Sequence, residues 1–350
     1  MWVVISLLSI MIIGAGSVFL YVWTGLKPTK AGEPKQVVIE KGSSAFVVSD
    51  VLEKQGIIRN SFIFKYYLKL KNEGTRFQAG TYELSPGMDK DAVIAKLNSG
   101  ETVKEDTIKF TIPEGFTVLQ IADKLAADKL VDRDKFLALA DSATADWGDI
   151  EAVRSIPKDG KLHHRLEGYL FPETYELKME STEQDILNRM LAELDKKLDA
   201  LPENWQEAME ERKLNLHQLL TIASLVEREV VVKDERAIVS GVINNRIKKG
   251  MPLQIDATVQ YLLDKPKERL MEKDLLIDSP YNTYKTKGLP PGPIASPSLA
   301  SIEAALYPEE TDYFYYVTKK DGSQSHLFAV TYKEHLKNIE KSNQTAKQGE

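Results

Sequence analysis

The hydrophobic pattern of this chain changes abruptly near residue 24. Residues 2–23 form an uncharged apolar run of about 22 residues, long enough to cross a hydrocarbon core of roughly 30 Å. Trp2, Tyr21 and Trp23 stand near its ends, where aromatic side chains favour the membrane interface. The apolar core of a signal peptide is usually about 7–15 residues long. The pattern therefore predicts an uncleaved transmembrane anchor, residues 1–24, and disfavours a cleaved signal peptide.

The rest of the chain alternates short apolar runs with amphipathic helical segments. Residues 25–36, rich in Gly, Pro and Lys, predict a linker that lifts the folded part off the membrane. Residues 37–103 predict a small α/β subdomain, and residues 104–340 predict a larger mixed domain. Polar residues 341–350 predict a disordered tail. The predicted fold class is therefore α+β, with one N-terminal transmembrane helix.

A hairpin is predicted near the C-terminus of the larger domain. Residues 313–318 and 326–330 both have the composition of β-strands, and Asp321-Gly322 lies between them. An Asp-Gly pair between two such runs is a strong hairpin signal.

Composition narrows the possible functions. The formal net charge is −6, and Lys and Arg are spread along the chain without the basic stripe typical of a nucleic-acid-binding protein. The absence of Cys excludes disulfides, thiolate catalysis and Cys-based zinc sites. No two of the five His have the spacing of a helical metal site. The sequence therefore predicts neither a nucleic-acid partner nor a bound metal.

Two acidic residues in an apolar helix give the clearest chemical signal. Residues 216–232 are apolar around most of a helical wheel, which is typical of a buried central helix. This helix carries Glu227 and Glu229, and Glu229 follows Leu225 and Val226 by about one turn. Because desolvation disfavours a charged carboxylate, a raised pKa and a general-acid role are predicted.

A structural role is the alternative explanation for this acidic pair. Either carboxylate could form an ion pair and hold neighbouring elements together. The candidate partners are Arg228, Arg236 and Arg246. The helical pattern leaves both explanations open.

A second candidate segment follows the Gly-Met-Pro turn at residues 250–252. Gln254, Asp256 and Thr258 alternate with apolar residues. In an extended segment this alternation places the three polar side chains on one face, where they could hydrogen-bond a sugar. A solvated strand face is the alternative.

A Pro-rich loop and an aromatic segment complete the candidate site. Residues 279–298 contain many prolines, which stiffen the loop. The loop presents Tyr281, Asn282 and Tyr284, side chains that suit stacking on and hydrogen bonding to carbohydrate. Glu167, in the aromatic segment LEGYLFPETYEL, is a second possible source of an active-site carboxylate, although core packing would equally explain that segment.

Four ordered motifs resemble one known family. They are LEGYLFPETY, IASLVERE, INNRIKKGMPLQIDATVQY and YNTYKTKGLPPGPIASPS. In order and spacing they resemble the endolytic murein transglycosylases of the YceG-like family. The resemblance covers nearly the whole chain and implies a LysM-like subdomain at residues 37–103 and a YceG-like catalytic domain at residues 104–340.

The resemblance also implies a mechanism. The family's catalytic Glu lies in the segment matching ASLVERE and corresponds to Glu229, with Glu227 as the adjacent alternative. One Glu protonates the glycosidic oxygen between MurNAc and GlcNAc, then takes the proton of the MurNAc C6 hydroxyl. That oxygen attacks C1 and leaves a 1,6-anhydro end. The implied substrate is the nascent peptidoglycan glycan strand, whose elongation the enzyme would terminate, and no cofactor or metal is required.

The resemblance further implies a location. It places the chain in the bacterial cell membrane as a single-pass protein with an extracytoplasmic catalytic domain and with cell-wall synthesis proteins as candidate partners. Lys27 and Lys30 follow the apolar run, so the positive-inside rule alone would predict the opposite orientation. The family's orientation is preferred here.

Two other function classes remain compatible with the residues. A wall-binding protein without catalysis would need only the LysM-like subdomain. A muramidase-type hydrolase would use Glu229 together with Asp256 or Glu167, because ordinary glycosidases need two carboxylates.

Overall fold

The chain is a mixed α+β protein. The computed structural model describes residues 2–103, 106–158, 161–263 and 265–348, with side chains described between residues 10 and 346. Its described part divides into two compact units, residues 1–106 and residues 107–350.

The helices and strands follow one another in mixed order. The α-helices of the described residues are α1 (Trp2–Gly25), α2 (Ala45–Lys54), α3 (Ser61–Lys71), α4 (Lys90–Ser99), α5 (Val118–Ala127), α6 (Arg133–Ala140), α7 (Glu183–Asp199), α8 (Trp205–Glu211), α9 (Leu216–Glu229), α10 (Arg236–Lys249), α11 (Asp256–Gln260), α12 (Leu299–Leu306) and α13 (Tyr332–Gln348). The strands are β1 (Lys35–Ile39), β2 (Gly80–Leu84), β3 (Thr107–Thr111), β4 (Thr174–Lys178), β5 (Tyr315–Thr318) and β6 (His326–Ala329).

In the first unit, helices pack on one two-stranded sheet. Strands β1 and β2 pair antiparallel, with Val37 opposite Tyr82. Both residues are fully buried, together with apolar residues of α2, α3 and α4. Ser44 and Asn60 accept hydrogen bonds from backbone amides at the starts of α2 and α3, which satisfies groups that a helix start leaves unpaired.

Helix α1 contains the residues for which an anchor is predicted. In the part of the chain that the structure describes, no helix is long and apolar enough to cross a membrane. The anchor therefore stays a prediction.

Residues 25–36, predicted as a linker, are hydrogen-bonded to other residues of the first unit. Arg59 donates to the carbonyl of Pro28 at 2.9 Å, and the amide of Gly87 donates to the hydroxyl of Thr29 at 2.9 Å. The amide of Gly32 also donates to a carbonyl of the first unit. These hydrogen bonds attach residues 25–36 to the rest of the first unit, so backbone groups of this segment are paired with protein groups.

The second unit is built around α9. Strands β3 and β4 pair antiparallel, and β5 and β6 form the predicted hairpin, with Tyr315 opposite Ala329. Helix α9 packs most extensively on α12 and also contacts α10. Every residue from Leu219 to Val226 is buried, which confirms the predicted buried central helix.

Of the predicted disordered tail, residues 341–348 are helical in the structure, and residues 349–350 lie outside the described residues. Helix α13 continues through Gln348. The hydroxyl of Ser342 donates to the carbonyl of Thr318 at 2.8 Å, and Lys320 donates to Asn343 at 2.7 Å. Docking on β5 thus orders a sequence that is polar by composition, and tertiary contact overrides the compositional signal.

Candidate active site

Local sequence fixes the start of α9. Asn215 and Gln218 form a reciprocal capping box at the first turn. Inside the helix, the hydroxyls of Thr221 and Ser224 donate to helix carbonyls at 2.7 Å, so these polar residues can be buried. Helix α9 ends at Glu229, because Val230 adopts an extended conformation.

Glu229 lies at the centre of the candidate site. Burial among surrounding protein groups raises the pKa of its carboxyl group. The hydroxyl of Tyr316 donates to Glu229 Oε2 at 2.8 Å and opposes this shift, whereas the negative charge of Asp256 adds to it. The carboxyl terminus of a helix also carries partial negative charge, which disfavours an ionised carboxylate there. The arrangement favours a protonated acid beside one hydrogen-bond donor.

Glu227 has a different environment from Glu229. Its Oε2 accepts hydrogen bonds from the amide of Ser298 at 3.0 Å and from the Ser298 hydroxyl at 2.5 Å. Ser298 is in turn the N-cap residue of α12. Glu227 therefore fixes the start of α12 against the end of α9, which is a structural role.

The candidate arginines hold backbone carbonyls near the acidic pair. Arg228 donates to the carbonyl of Gly115 at 3.1 Å. Buried Arg246 donates to the carbonyls of Phe314 and Leu253, each at 2.6 Å. Arg246 thus joins α10 to the residues before β5 and to the segment that leads to α11.

The segment at residues 254–258 is not the predicted extended face. Helix α11 begins at Asp256, so the three polar side chains do not alternate on one strand. Thr258 is fully buried and its hydroxyl donates to the carbonyl of Ile255. Gln254, with a φ of 52°, and Asp256 remain exposed. Only these two of the three could contact a ligand.

The Pro-rich loop buries two of its three predicted ligand residues. The side-chain amide of Asn282 donates to the carbonyls of Leu275 and Ile277, at 3.0 and 2.8 Å, and the residue is fully buried. Tyr281 is also buried. Tyr284 is partly accessible, and its hydroxyl donates to Asp256 Oδ1 at 2.5 Å. Asn282 and Tyr281 therefore shape the loop, and Tyr284 reaches the site.

Glu167 is also buried and differs from the predicted substrate contact. Its carboxylate accepts hydrogen bonds from the amide of Val118 at the first turn of α5 and from the hydroxyl of Tyr261. Burial raises the pKa of Glu167 to about 7. With only 1% of its surface exposed, it acts on the site through Tyr261 and not by touching a substrate.

A cavity of about 390 Å³ adjoins these residues. Its lining includes Arg228 and Ala257, the chain neighbours of Glu229 and Asp256, and also His163 and Tyr261. The rings of His163 and Tyr261 lie 5.3 Å apart, edge to face. Burial lowers the pKa of His163, so this ring is neutral at physiological pH. The cavity therefore offers aromatic surface and polar groups, a combination that suits a sugar.

Sequence reasoning missed two residues of the candidate site. Thr283 hydrogen-bonds Thr258 and the amide of Ile255, and so fixes the start of α11. Tyr316 is the second, whereas Arg246, a candidate ion-pair partner in the sequence, donates to backbone carbonyls in the structure. Thr283 stands inside a quoted motif, but the sequence gives no signal that one particular tyrosine of a hairpin would face a helix end 87 positions earlier.

Within residues 2–103, 106–158, 161–263 and 265–348, no group of three or more His, Asp or Glu could hold a metal ion.

The comparison that decides the family covers most of the chain. Residues 37–341 match the YceG-like family. The chain belongs to the YceG-like family. The matched residues of this YceG-like protein include Glu227, Glu229, the Pro-rich loop and the hairpin.

Individual relatives agree with the family. An endolytic murein transglycosylase of Bacillus subtilis is 39% identical over 335 residues, which cover 93% of this chain and 90% of the relative. One from Streptococcus pneumoniae is 32% identical over 97% of this chain, and the match spans 64% of that longer relative. A crystal structure of a yceG-like protein from Listeria monocytogenes is 36% identical, with a TM-score of 0.57 over 87% of this chain and 99% of that one.

Proposed function

We propose that this YceG-like protein is an endolytic murein transglycosylase that cuts peptidoglycan glycan strands. The observation that carries the proposal is Glu229, a desolvated carboxyl with a raised pKa that receives one hydrogen bond from Tyr316. The relatives' names supply the reaction class, and a carboxyl group whose pKa is raised by burial suits its first step, the donation of a proton.

In the proposed mechanism Glu229 serves as acid and then as base. It first donates its proton to the glycosidic oxygen between MurNAc and GlcNAc, and the C1–O bond breaks. The Tyr316 hydroxyl stabilises the carboxylate that this step creates. The carboxylate then removes the proton of the MurNAc C6 hydroxyl, whose oxygen bonds to C1. The proton returns to Glu229, no water is consumed, and the product has a 1,6-anhydro end.

The neighbouring residues have positioning roles in this proposal. Tyr284 and Asp256 form a hydrogen-bonded pair whose partly exposed groups can contact sugar hydroxyls. We assign the cavity beside Arg228 and Tyr261 to the strand on one side of the cleaved bond, because it has aromatic and polar lining that includes Arg228, the chain neighbour of Glu229. Aromatic faces stack on sugar rings, and Tyr261 is held in place by Glu167.

Product analysis tests the reaction class. Full-length protein in detergent, incubated with un-crosslinked glycan strands, is expected to release fragments with 1,6-anhydro-MurNAc ends. Such a fragment is lighter than the hydrolysed one by one water, so mass spectrometry separates the two. Reducing MurNAc ends would show a hydrolase, intact strands would show a binding protein, and either result would overturn the proposal.

We further propose that residues 2–23 anchor the protein in the bacterial cell membrane, with the second unit outside the cytoplasm. The support is the uncharged apolar run with aromatic residues at its ends. Intact-mass measurement of membrane-extracted protein is expected to show residues 2–23 retained. Added protease is expected to degrade the second unit in spheroplasts. A chain that begins near Ser17, after the small residues Gly14-Ala15-Gly16, would show a cleaved signal peptide and contradict the anchor. A protected second unit would contradict the orientation.

A further inference from the structure

Helix α3 carries an apolar strip on its solvent face. Phe62, Tyr66 and Leu70 are 60%, 61% and 82% exposed. A spacing of four residues places the three side chains along one face of the helix. The opposite face packs into the core through Phe64 and Leu68. A soluble helix usually exposes polar residues opposite its core face, so α3 departs from that pattern.

The strip is continuous with the C-terminal end of α1. The side-chain amide of Asn60, the N-cap of α3, donates to the hydroxyl of Tyr21 at 3.3 Å. At Gly25 the two helices approach so closely that an added Cβ would collide with Ile63. The groove between the helices, with a volume of about 430 Å³, is lined almost entirely by apolar and aromatic side chains. Helix α3 therefore lies at the level where the apolar run of residues 2–23 ends.

Lysine side chains lie at the edge of this surface and near the end of α1. Lys69, which precedes Leu70, borders the strip on one side, and Lys65 on the same side is ion-paired with Asp50 at 2.6 Å. Near the end of α1, the ammonium group of Lys27 lies 3.4 Å from the centre of the Trp23 ring. Lysines whose stems lie along apolar surface place their ammonium groups at the level of lipid phosphates.

We propose that the exposed face of α3, formed by Phe62, Tyr66 and Leu70, lies in the headgroup layer of an anionic phospholipid bilayer. The inference rests on the proposed anchor, because α1 brings α3 to the membrane surface. An amphipathic helix in the interface buries its apolar face by about 5–10 Å, a depth that these side chains can reach.

A bilayer fits this surface better than a protein partner. The apolar strip has a lysine border and joins the end of a predicted membrane span, and lipid tails and phosphates complement both features. The consequence is a second point of membrane contact. With α1 alone, the first unit could rotate about the axis of α1, whereas contact through α3 fixes its face towards the bilayer.

The absence of Cys allows a direct test on the full-length protein. Single-Cys variants Tyr66→Cys and Leu70→Cys carry an environment-sensitive fluorophore in nanodiscs of phosphatidylcholine and phosphatidylglycerol. Glu53→Cys, at an exposed position of α2, is the matched water-facing control, and Ile12→Cys reports on the anchor. Emission is measured with a nitroxide quencher on the lipid chains and with aqueous iodide.

Lipid nitroxide is expected to reduce emission at positions 66 and 70 by about twofold or more, as for groups at the acyl boundary, and to leave position 53 unchanged. The inference would be overturned if iodide quenched positions 66 and 70 as strongly as position 53. If the lipid nitroxide still quenched position 12 in that experiment, the anchor would remain intact. Protection from both quenchers would place a second copy of the chain on the strip and would also overturn it. Loss of lipid quenching at position 12 would refute the anchor itself.

Discussion

Glu229→Gln is expected to abolish turnover while the fold survives. Glutamine keeps the shape of the side chain and can still accept the hydrogen bond of Tyr316, but it can neither give nor take the proton. General acid or base help is worth about 10²–10⁴-fold in rate, and in the proposed mechanism one group serves both steps. We expect the rate of anhydro-end release to fall by about 10⁴-fold or more, measured on un-crosslinked strands.

The same variant is expected to change stability with a defined dependence on pH. The pKa of Glu229 is raised in the folded protein, so its protonated form stabilises the fold below the pKa of an unfolded Glu, about 4.3. This contribution is lost as pH rises through the raised folded pKa. Glu229→Gln has no such loss. Its melting temperature should therefore exceed that of the wild type at pH 8, and the difference should shrink towards pH 4.

Glu227→Gln is the matched control for Glu229→Gln. It removes a carboxylate two positions earlier on α9 and weakens the hydrogen bonds from Ser298 that hold the start of α12. We expect a lower melting temperature and a smaller loss of rate than for Glu229→Gln. The assignment fails if folded Glu229→Gln protein still releases anhydro ends at near wild-type rate. If Glu227→Gln were then inactive, Glu227 would be the acid.

Tyr316→Phe is expected to slow cleavage and to shift its pH dependence. The Tyr316 hydroxyl stabilises the carboxylate that remains after proton transfer, and a hydrogen bond to a charged group is worth about 1.5–3 kcal/mol. A loss of this size corresponds to a decrease in kcat of about tenfold or more. Without this donor the pKa of Glu229 rises further, so the alkaline limb of the kcat profile should move to higher pH.

Tyr315→Phe is the matched control on the same strand. Its ring stacks on His335, 5.2 Å away between centroids, and the substitution removes a hydroxyl from the adjacent position of β5. We expect an unchanged pH profile for this variant. A wild-type profile for Tyr316→Phe, or an equal shift for Tyr315→Phe, would show that Tyr316 does not act on the titration of Glu229.

The sequence determined the elements whose signals are local. The apolar wheel around residues 216–232 predicts the buried helix, because burial on all sides requires apolar residues on all sides. The Asp321-Gly322 pair predicts the hairpin, because its turn geometry needs residues that tolerate positive φ. Motif order predicts the family, which the match over residues 37–341 confirms.

The tertiary structure decided which polar residues can reach a ligand. Gln254, Asp256 and Tyr284 remain accessible, whereas Asn282 and Thr258 turn inward to satisfy backbone and side-chain groups. A sequence shows that a side chain can hydrogen-bond, but not whether its partner is a sugar or a carbonyl several residues away. That choice follows from burial, because an inward-facing polar group must be paired within the protein.

The two glutamates of α9 illustrate the same division. From the sequence, Glu227 and Glu229 are both carboxylates in an apolar helix. Only the packing of α12 against α9 gives Glu227 the hydrogen bonds of Ser298, and only the hairpin brings Tyr316 to Glu229. The first contact joins residues that are 71 positions apart in the chain, and the second joins residues that are 87 positions apart. No local pattern therefore specifies either contact. The sequence thus determined the helix and its acids, and long-range packing decided which acid is placed to act.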